Sequence, residues 1–371
     1  MNSEQLIKGN PEIFKLMPGD IDHLYRRSGL GGNNLSPFRY NAEQAAISTP
    51  SEAFKALAES PSLGQVAERL LEPNFKIEFN SGGGSIAEDK YYALLGSEDE
   101  RVLAQYINSE GEILLLLFPN WKAFLEWWTG SYASQGMAGY KPVFPSIMEI
   151  EVLVCAVHCI DIYRRAYMES MLDYRGGVDL SLSTGDYVEL LKRALASGDK
   201  RWLLPTIFEL TPGLKNSKIA LKPEHIKEIE DIGFVTSNEG VITLAERSRI
   251  MGTEFISSWM GSISLQASTL REGEERMLSR AFLAVTGFAN HLFSFEIAPN
   301  SDTRFKHQAS TLPELQQTLV KWMEALEKAG AKSIAPREQN ETKAAKAKFC
   351  GQCGSEIRPG KKFCGNCGTP I

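Results

Sequence analysis

The chain has 371 residues, 43% of them hydrophobic and 23% charged, with a formal net charge of −6. That length accommodates two or three domains with a sizeable core, and the composition excludes a fibrous or wholly disordered protein. The acidic balance argues against a body that wraps nucleic acid by neutralising phosphates, while leaving room for a local basic patch.

Residues 1–60 open with short helical signals. Asn10-Pro11-Glu12 starts a turn of helix through Leu16, Pro18-Gly19-Asp20 restarts it, and Ser28-Gly29-Leu30-Gly31-Gly32-Asn33-Asn34 ends it. This Gly-rich stretch lacks the Lys-Ser/Thr of a phosphate-binding loop and follows no strand, so it reads as a plain loop. Ser51 caps a helix across Phe54, Leu57 and Ala58, and a second runs from Pro61-Ser62 through Leu71 to Pro73. Phe75 to Phe79 alternates apolar and polar, a Gly/Ser connector follows, and Lys90 to Leu95, Arg101 to Ile107 and Glu112 to Phe118 are strand candidates. The helix Trp121 to Trp128 closes this antiparallel meander. Its Trp121, Phe124, Trp127 and Trp128 fall at helical spacing, as core packing requires.

A Gly/Ser/Pro-rich link from 130 to 146 leads to an apolar helix, Ile147 to Asp173. Neither this helix nor the run at 113–119 approaches the roughly 20 apolar residues that span a bilayer. No basic region followed by an apolar stretch opens the chain, so a soluble, cytoplasmic protein without membrane insertion is expected. Within the apolar helix, Cys155, His158 and Cys159 share a face and invite a metal-site reading. Without a fourth ligand in view, burial is the better account. Glu149 and Glu151 at its start suit a helix N-terminus.

Ser183 or Thr184 caps a helix from Asp186 to Leu195; others follow at Lys200 to Leu210 and His225 to Ile232. Then come Gly233-Phe234-Val235, a polar turn at Ser237 to Gly240, the short strand Val241 to Leu244, and a helix from Ala245 to Trp259. The order helix, strand, polar turn, strand, Leu-Ala-Glu-Arg and helix, over about 186–259, resembles a winged-helix module. A DNA-reading version usually clusters Arg and Lys. Here Lys227 stands against Glu228, Glu230 and Asp231, so the resemblance implies a packing or dimer module.

After Trp259 the first pattern returns. Ser262 to Ala267 alternates, Arg271 to Glu275 connects, Met277 to Val285 and His291 to Ile297 are strands, and the helix Pro313 to Ala329 carries Trp322. The repeat, offset by roughly 180 residues, predicts two related half-sheets joined across a pseudo-twofold axis with helices outside. In element order over about 50–330 this arrangement resembles the cytosolic chaperones of type VII secretion, which implies a role in holding partner proteins.

Residues 330–348, dominated by Ala, Lys, Glu and Gln, form a linker. Beyond it stand Cys350-Gly-Gln-Cys353-Gly354 and Cys364-Gly-Asn-Cys367-Gly368, separated by ten residues. A two-residue spacer turns both sulfurs of a pair toward one point, and the following Gly can take the positive φ that closes the knuckle. Cys350, Cys353, Cys364 and Cys367 thus supply four thiolates to one Zn2+. Four protein ligands leave no vacant position, so the ion is structural. Two disulfides are the other chemistry open to the pattern, and a reducing compartment would not keep them. The tail closely resembles short zinc ribbons, which serve nucleic-acid proteins and protein-interaction appendages alike.

Residues 331–371 carry eight basic and three acidic side chains, leaving about +3 once a zinc tetrathiolate is counted. Nucleic acid is one partner open to such a tail, and an acidic protein surface is the other. Phe349 and Phe363 precede the knuckles symmetrically, and filling the small core is the expected role for them ahead of base stacking. His23, His158, His225, His291 and His307 are scattered, with no metalloprotease, hydrolase, kinase or dinucleotide motif.

The resulting expectation is an α+β protein: an N-terminal half at 1–146, a C-terminal half with a winged-helix-like segment at 147–329, a flexible linker at 330–348 and a zinc ribbon at 349–371. The expected role is a non-enzymatic protein-binding adaptor or chaperone-like component. The alternatives are a transcription-associated DNA-binding regulator and an enzyme whose site shows no motif.

Overall fold

In the computed structural model the described residues are 11–41, 49–83, 86–96, 100–141, 143–211, 219–257, 261–297, 303–334, 348–349 and 356–357. The chain divides into two compact units, 1–333 and 334–371. The first unit begins with β1 (Glu12–Leu16), followed by α1 (Asp20–Ser28), α2 (Glu52–Glu59) and α3 (Leu63–Leu71). The meander β2 (Phe75–Gly83), β3 (Ile86–Leu95), β4 (Val102–Ile107) and β5 (Ile113–Phe118) comes next and is closed by α4 (Trp121–Tyr132).

The plan then repeats. β6 (Ile147–Glu149) leads into a longer helical segment: α5 (Ile150–Leu172), β7 (Ser181–Ser183), α6 (Thr184–Ala196), α7 (Leu203–Leu210), α8 (Pro223–Asp231), β8 (Val235–Asn238), β9 (Val241–Leu244) and α9 (Glu246–Ser257). A second meander follows, of β10 (Gly261–Arg271), β11 (Glu274–Val285), β12 (Asn290–Ile297) and β13 (Thr303–Ser310), and α10 (Leu312–Ile334) closes it.

The two meanders make one ten-stranded sheet, ordered β1-β5-β4-β3-β2-β10-β11-β12-β13-β6. It reads symmetrically outward from the antiparallel β2–β10 pair, which runs from Phe75 opposite Thr269 to Gly82 opposite Ser262. Successive meander strands of the second half begin 186, 188, 188 and 190 residues after their counterparts. The α+β class and the antiparallel half-sheets expected from the pattern are therefore present; to the strands that the alternation marks, the first half adds β1 and the second adds β13 and β6. β13 carries little alternating signal because His307 interrupts the buried face that Phe305 begins, while Lys306 and Gln308 stand on the exposed face.

Two expectations are corrected at the sheet's outer edges. Residues 12–16 form not a helical turn but β1, paired with β5 from Glu12 opposite Leu117 to Leu16 opposite Ile113. Residues 147–149 are not the first turn of the apolar helix but β6, paired with β13. In both places a partner strand distant in sequence supplies the backbone hydrogen bonds, and short segments follow such context over local propensity.

Helices cover both faces. On one, Ile77, Phe79, Leu265 and Ala267 pack beneath α4 and α10 through Trp121, Phe124, Trp128, Leu315, Leu319 and Met323. Phe79 lies 5.6 Å from the Phe124 ring and 4.8 Å from that of Trp128, and half-buried Trp127 packs on Phe118. The tryptophan cluster is thus core. On the other face, Leu94, Leu103, Leu115 and Leu117 meet α1, α2 and α3, whereas Phe282, Phe293 and Phe305 belong to a core shared with α5 and the helices after it. The apolar character of α5 follows from this position, since Val152 to Arg164 is buried around the whole helix.

Local chemistry places the ends. Ser51, Asn120 and Ser183 accept hydrogen bonds from the first-turn amides of α2, α4 and α6. α8 ends in a Schellman turn with Gly233 at φ 78°, Phe234 N–H donating to the Ile229 carbonyl. α5 ends in the same turn, Arg175 N–H donating to the Ser170 carbonyl, but there the left-handed position is held by Tyr174 at φ 53°. In the Gly-rich loop, Gly31 and Gly32 donate their amides to Glu72 Oε1 at 2.9 and 3.2 Å, so a carboxylate of the chain itself occupies that cradle.

Candidate functional site

Titratable groups gather on the C-terminal half. On α5, Cys155 and Cys159 are buried, and burial pushes both thiols up to about 12, far from the thiolate that a metal requires. Tyr187 of α6 donates its hydroxyl to the Cys155 carbonyl at 3.0 Å and lies 3.8 Å from Cys159 Sγ. His158, between them, is pushed down to about 3 by burial and stays neutral. These three residues are core, as the missing fourth ligand implied.

Among the described residues, Glu149, Glu151 and His225 bring ligand atoms within 4.8 Å of one another. The Lys222 N–H donates to His225 Nδ1 at 3.1 Å, which leaves the proton of the neutral ring on Nε2. A protonated nitrogen has no lone pair for an ion, so His225 does not complete a metal site with the two carboxylates.

A third cluster joins residues that the sequence scatters. Glu254 of α9 is buried; its Oε1 accepts from Thr286 Oγ1 at 2.6 Å and His291 Nε2 at 2.8 Å, and its Oε2 accepts from the Tyr140 hydroxyl. Burial works to raise the Glu254 carboxyl, but the hydrogen bond and charge of His291, with the two hydroxyls, hold it below the usual carboxylate range. His291 Nδ1 lies 3.0 Å from His307 Nε2. His291 Nε2–H donates to Glu254, and His291 Nδ1 and His307 Nε2 hold one proton between them. His307 Nδ1 is buried without a partner. Burial, and then the neighbouring His291, push His307 well below the ordinary histidine value.

A cavity of about 580 Å3 opens on this cluster, walled by Tyr140, Tyr163, Arg249, Thr253 and Phe288. The same face of the corresponding strands in the N-terminal half carries Leu103 and Leu115. The polar cluster is thus a feature of one half, and it ties α9, β12, β13 and the loop before β6 together. Strand alternation holds the signal that would have found it, since His291 is in phase with buried Phe293, and His307 with buried Phe305.

In the second unit, β14 (Lys348–Phe349) pairs with β15 (Glu356–Ile357), a hairpin that brackets the first Cys-x-x-Cys. Cys350, Cys353, Cys364 and Cys367, the linker 335–347 and Phe363 lie outside the described residues.

A family model for the zinc-ribbon domain matches residues 349–371. The chain therefore ends in a zinc-ribbon domain, which implies a structural zinc ion. The chemistry of the chain fits the ion: four cysteines in two close pairs match the closed tetrahedral thiolate sites of such domains. No curated protein matches the chain. Among the described residues, no helix is long and apolar enough to cross a membrane.

Two outcomes are expected. The unfolded chain protonates His158 and His307 near pH 6.5 while the folded chain does so only far below, so the unfolded state binds more protons and stability is lost as pH falls. Each ring contributes a slope of up to about 1.4 kcal/mol per pH unit below roughly 6.5. For His158 the loss runs down to about 3. Urea unfolding from pH 7 to 4.5 measures it, and His307→Leu should remove one histidine's share; an unchanged slope contradicts the assignment. For the ribbon, metal analysis of purified protein should give about one zinc per chain, lost in Cys353→Ser; the same content in both proteins refutes those ligands.

Proposed function

We propose that this protein is a non-enzymatic, protein-binding adaptor of the chaperone-like kind. Its α+β body engages a helix of a partner protein, and its ribbon, with zinc held by Cys350, Cys353, Cys364 and Cys367, is a tethered second contact. The observation that carries the reading is the C-terminal end of α5. There Met171, Leu172 and Tyr174 are 61, 78 and 97% exposed, with Met168 one turn earlier. Apolar groups at i, i+3 and i+4 form the stripe that an amphipathic partner helix covers. The left-handed conformation of Tyr174 costs about 1 kcal/mol, a cost that glycine avoids at the matching position of α8. A strained, fully exposed tyrosine is explained by contact with a partner better than by folding.

In this reading the ten-stranded sheet, with helices on both faces, is the rigid layer from which the body presents the end of α5, and the resemblance in element order to the chaperones of type VII secretion stays part of the proposal. Localisation in the cytoplasm belongs to the same reading.

The second reading is a DNA-binding regulator, favoured by the small sheet β7-β9-β8 around α6, α7 and α8, the strand order of a winged helix. Charge weighs against it. α8 carries Glu224, Glu228, Glu230 and Asp231 beside Lys227, and Glu239 sits in the β8–β9 turn. Its apolar residues Ile226 and Ile229 are already engaged in the core that includes α5. We read the segment as a winged-helix-like packing unit.

Affinity purification from the native host, with and without residues 331–371, tests the role of the ribbon and identifies the partner. Tyr174→Gly should raise the unfolding free energy by up to about 1 kcal/mol while reducing the captured partner. Full capture by both Tyr174→Gly and Leu172→Ser removes the α5 contact. Titration of the full chain into duplex DNA at low salt should show no binding, and salt-dependent binding would favour the regulator.

A further inference from the structure

Between α5, α6 and α7 lies a cavity of about 250 Å3, with His158 in its wall and Ile162, Leu190 and Trp202 as apolar surfaces. It has room for roughly ten non-hydrogen atoms. His158 is 3% exposed, and neither ring nitrogen has a partner at hydrogen-bond geometry, although the Tyr187 backbone acts on the ring in the direction that favours its protonated form. Buried imidazole nitrogens without partners are costly and uncommon in native proteins. Asp161, also in the wall, is engaged, because its oxygens accept from the Leu203 and Leu204 amides and from Arg164. Arg165 and Arg193 complete the lining. Their partners are Glu169 and Glu189 one turn along their own helices, at 2.7 and 3.3 Å, exposed pairs that contribute little and exchange readily.

We propose that this cavity is a binding site for a small hydroxylated carboxylic acid with an aromatic or similarly flat apolar body. The hydroxyl engages His158, the body lies against Ile162, Leu190 and Trp202, and the carboxylate meets Arg165 and Arg193. Each part follows from the wall. A neutral imidazole offers one donor and one acceptor, and a hydroxyl is the small group that answers either. A carboxylate in place of that hydroxyl would be buried away from its counter-charges, whereas beside the arginines it remains near solvent and paired. The site does not rest on the protein-binding reading, and either can fail without the other.

The test uses the full chain and three probes: 4-hydroxyphenylacetate, phenylacetate, which lacks the hydroxyl, and 2-(4-hydroxyphenyl)ethanol, which lacks the carboxylate. Isothermal titration should show saturable binding of 4-hydroxyphenylacetate, with phenylacetate about 3- to 10-fold weaker, the range of one neutral hydrogen bond. NMR should show the His158 imidazole resonances, alone among the five histidines, moving with the hydroxylated probes. His158→Phe should abolish the difference between the two acids. Arg165→Gln with Arg193→Gln, both at exposed positions, should weaken the acids several-fold and leave the alcohol unchanged, a readout that survives if His158→Phe fails to fold. No saturable binding of any probe identifies a packing defect and overturns the proposal. So does binding that is indifferent to the arginines and leaves the His158 resonances unmoved.

Discussion

The antiparallel pairing of β2 with β10 is the constraint on which the body depends. Each four-stranded meander taken alone would expose this strand's backbone donors and acceptors at an open edge, a template for uncontrolled pairing. Joined, the two edges satisfy each other over eight register pairs and place Phe79 beside Leu265 on the face under α4 and α10. The outer ends are then finished by β1 and β6, short strands taken from outside the meanders. Both halves therefore share one hydrogen-bonded core layer, consistent with residues 1–333 forming a single compact unit.

The symmetry is one of backbone plan and stops at the side chains. The N-terminal half covers its sheet with three short helices over leucines. The C-terminal half inserts a longer helical segment around α5 and replaces leucine with histidine on β12 and β13. A network such as Tyr140–Glu254–His291–His307 is favourable only while every member is satisfied, because the low dielectric that strengthens its bonds also penalises any group left over. Here the leftover is His307 Nδ1. The helix-rich half also holds the buried His158 and the exposed end of α5, so the features without a packing explanation concentrate in one half.

The elements that could be read from the chain are those whose signal is local. Ser51 and Ser183 at helix starts, the polar turn 108–111, the tryptophan spacing of α4 and the two Cys-x-x-Cys knuckles all act within a few residues. The elements misread or missed are β1, β6 and β7, short strands whose partners lie far along the chain, and β13, whose buried face is interrupted by His307. The polar cluster was hidden for the same reason. Residues 140, 254, 291 and 307 carry no common spacing, and only the sheet register with the packing of α9 brings them within hydrogen-bond reach. Strand phase would have pointed His291 and His307 inward, but nothing in the chain says what they meet there.

Sequence alone determined the ribbon and its ion, because thiolate pairs on tight turns carry their chemistry in their spacing, and it determined the repeat of the two meanders, because alternation and turn residues are written locally. Tertiary structure decided which edges join, which histidines stay neutral and which tyrosine is held out to solvent. Those outcomes depend on desolvation and on hydrogen-bond partners supplied across the fold, and neither exists until the chain has closed on itself.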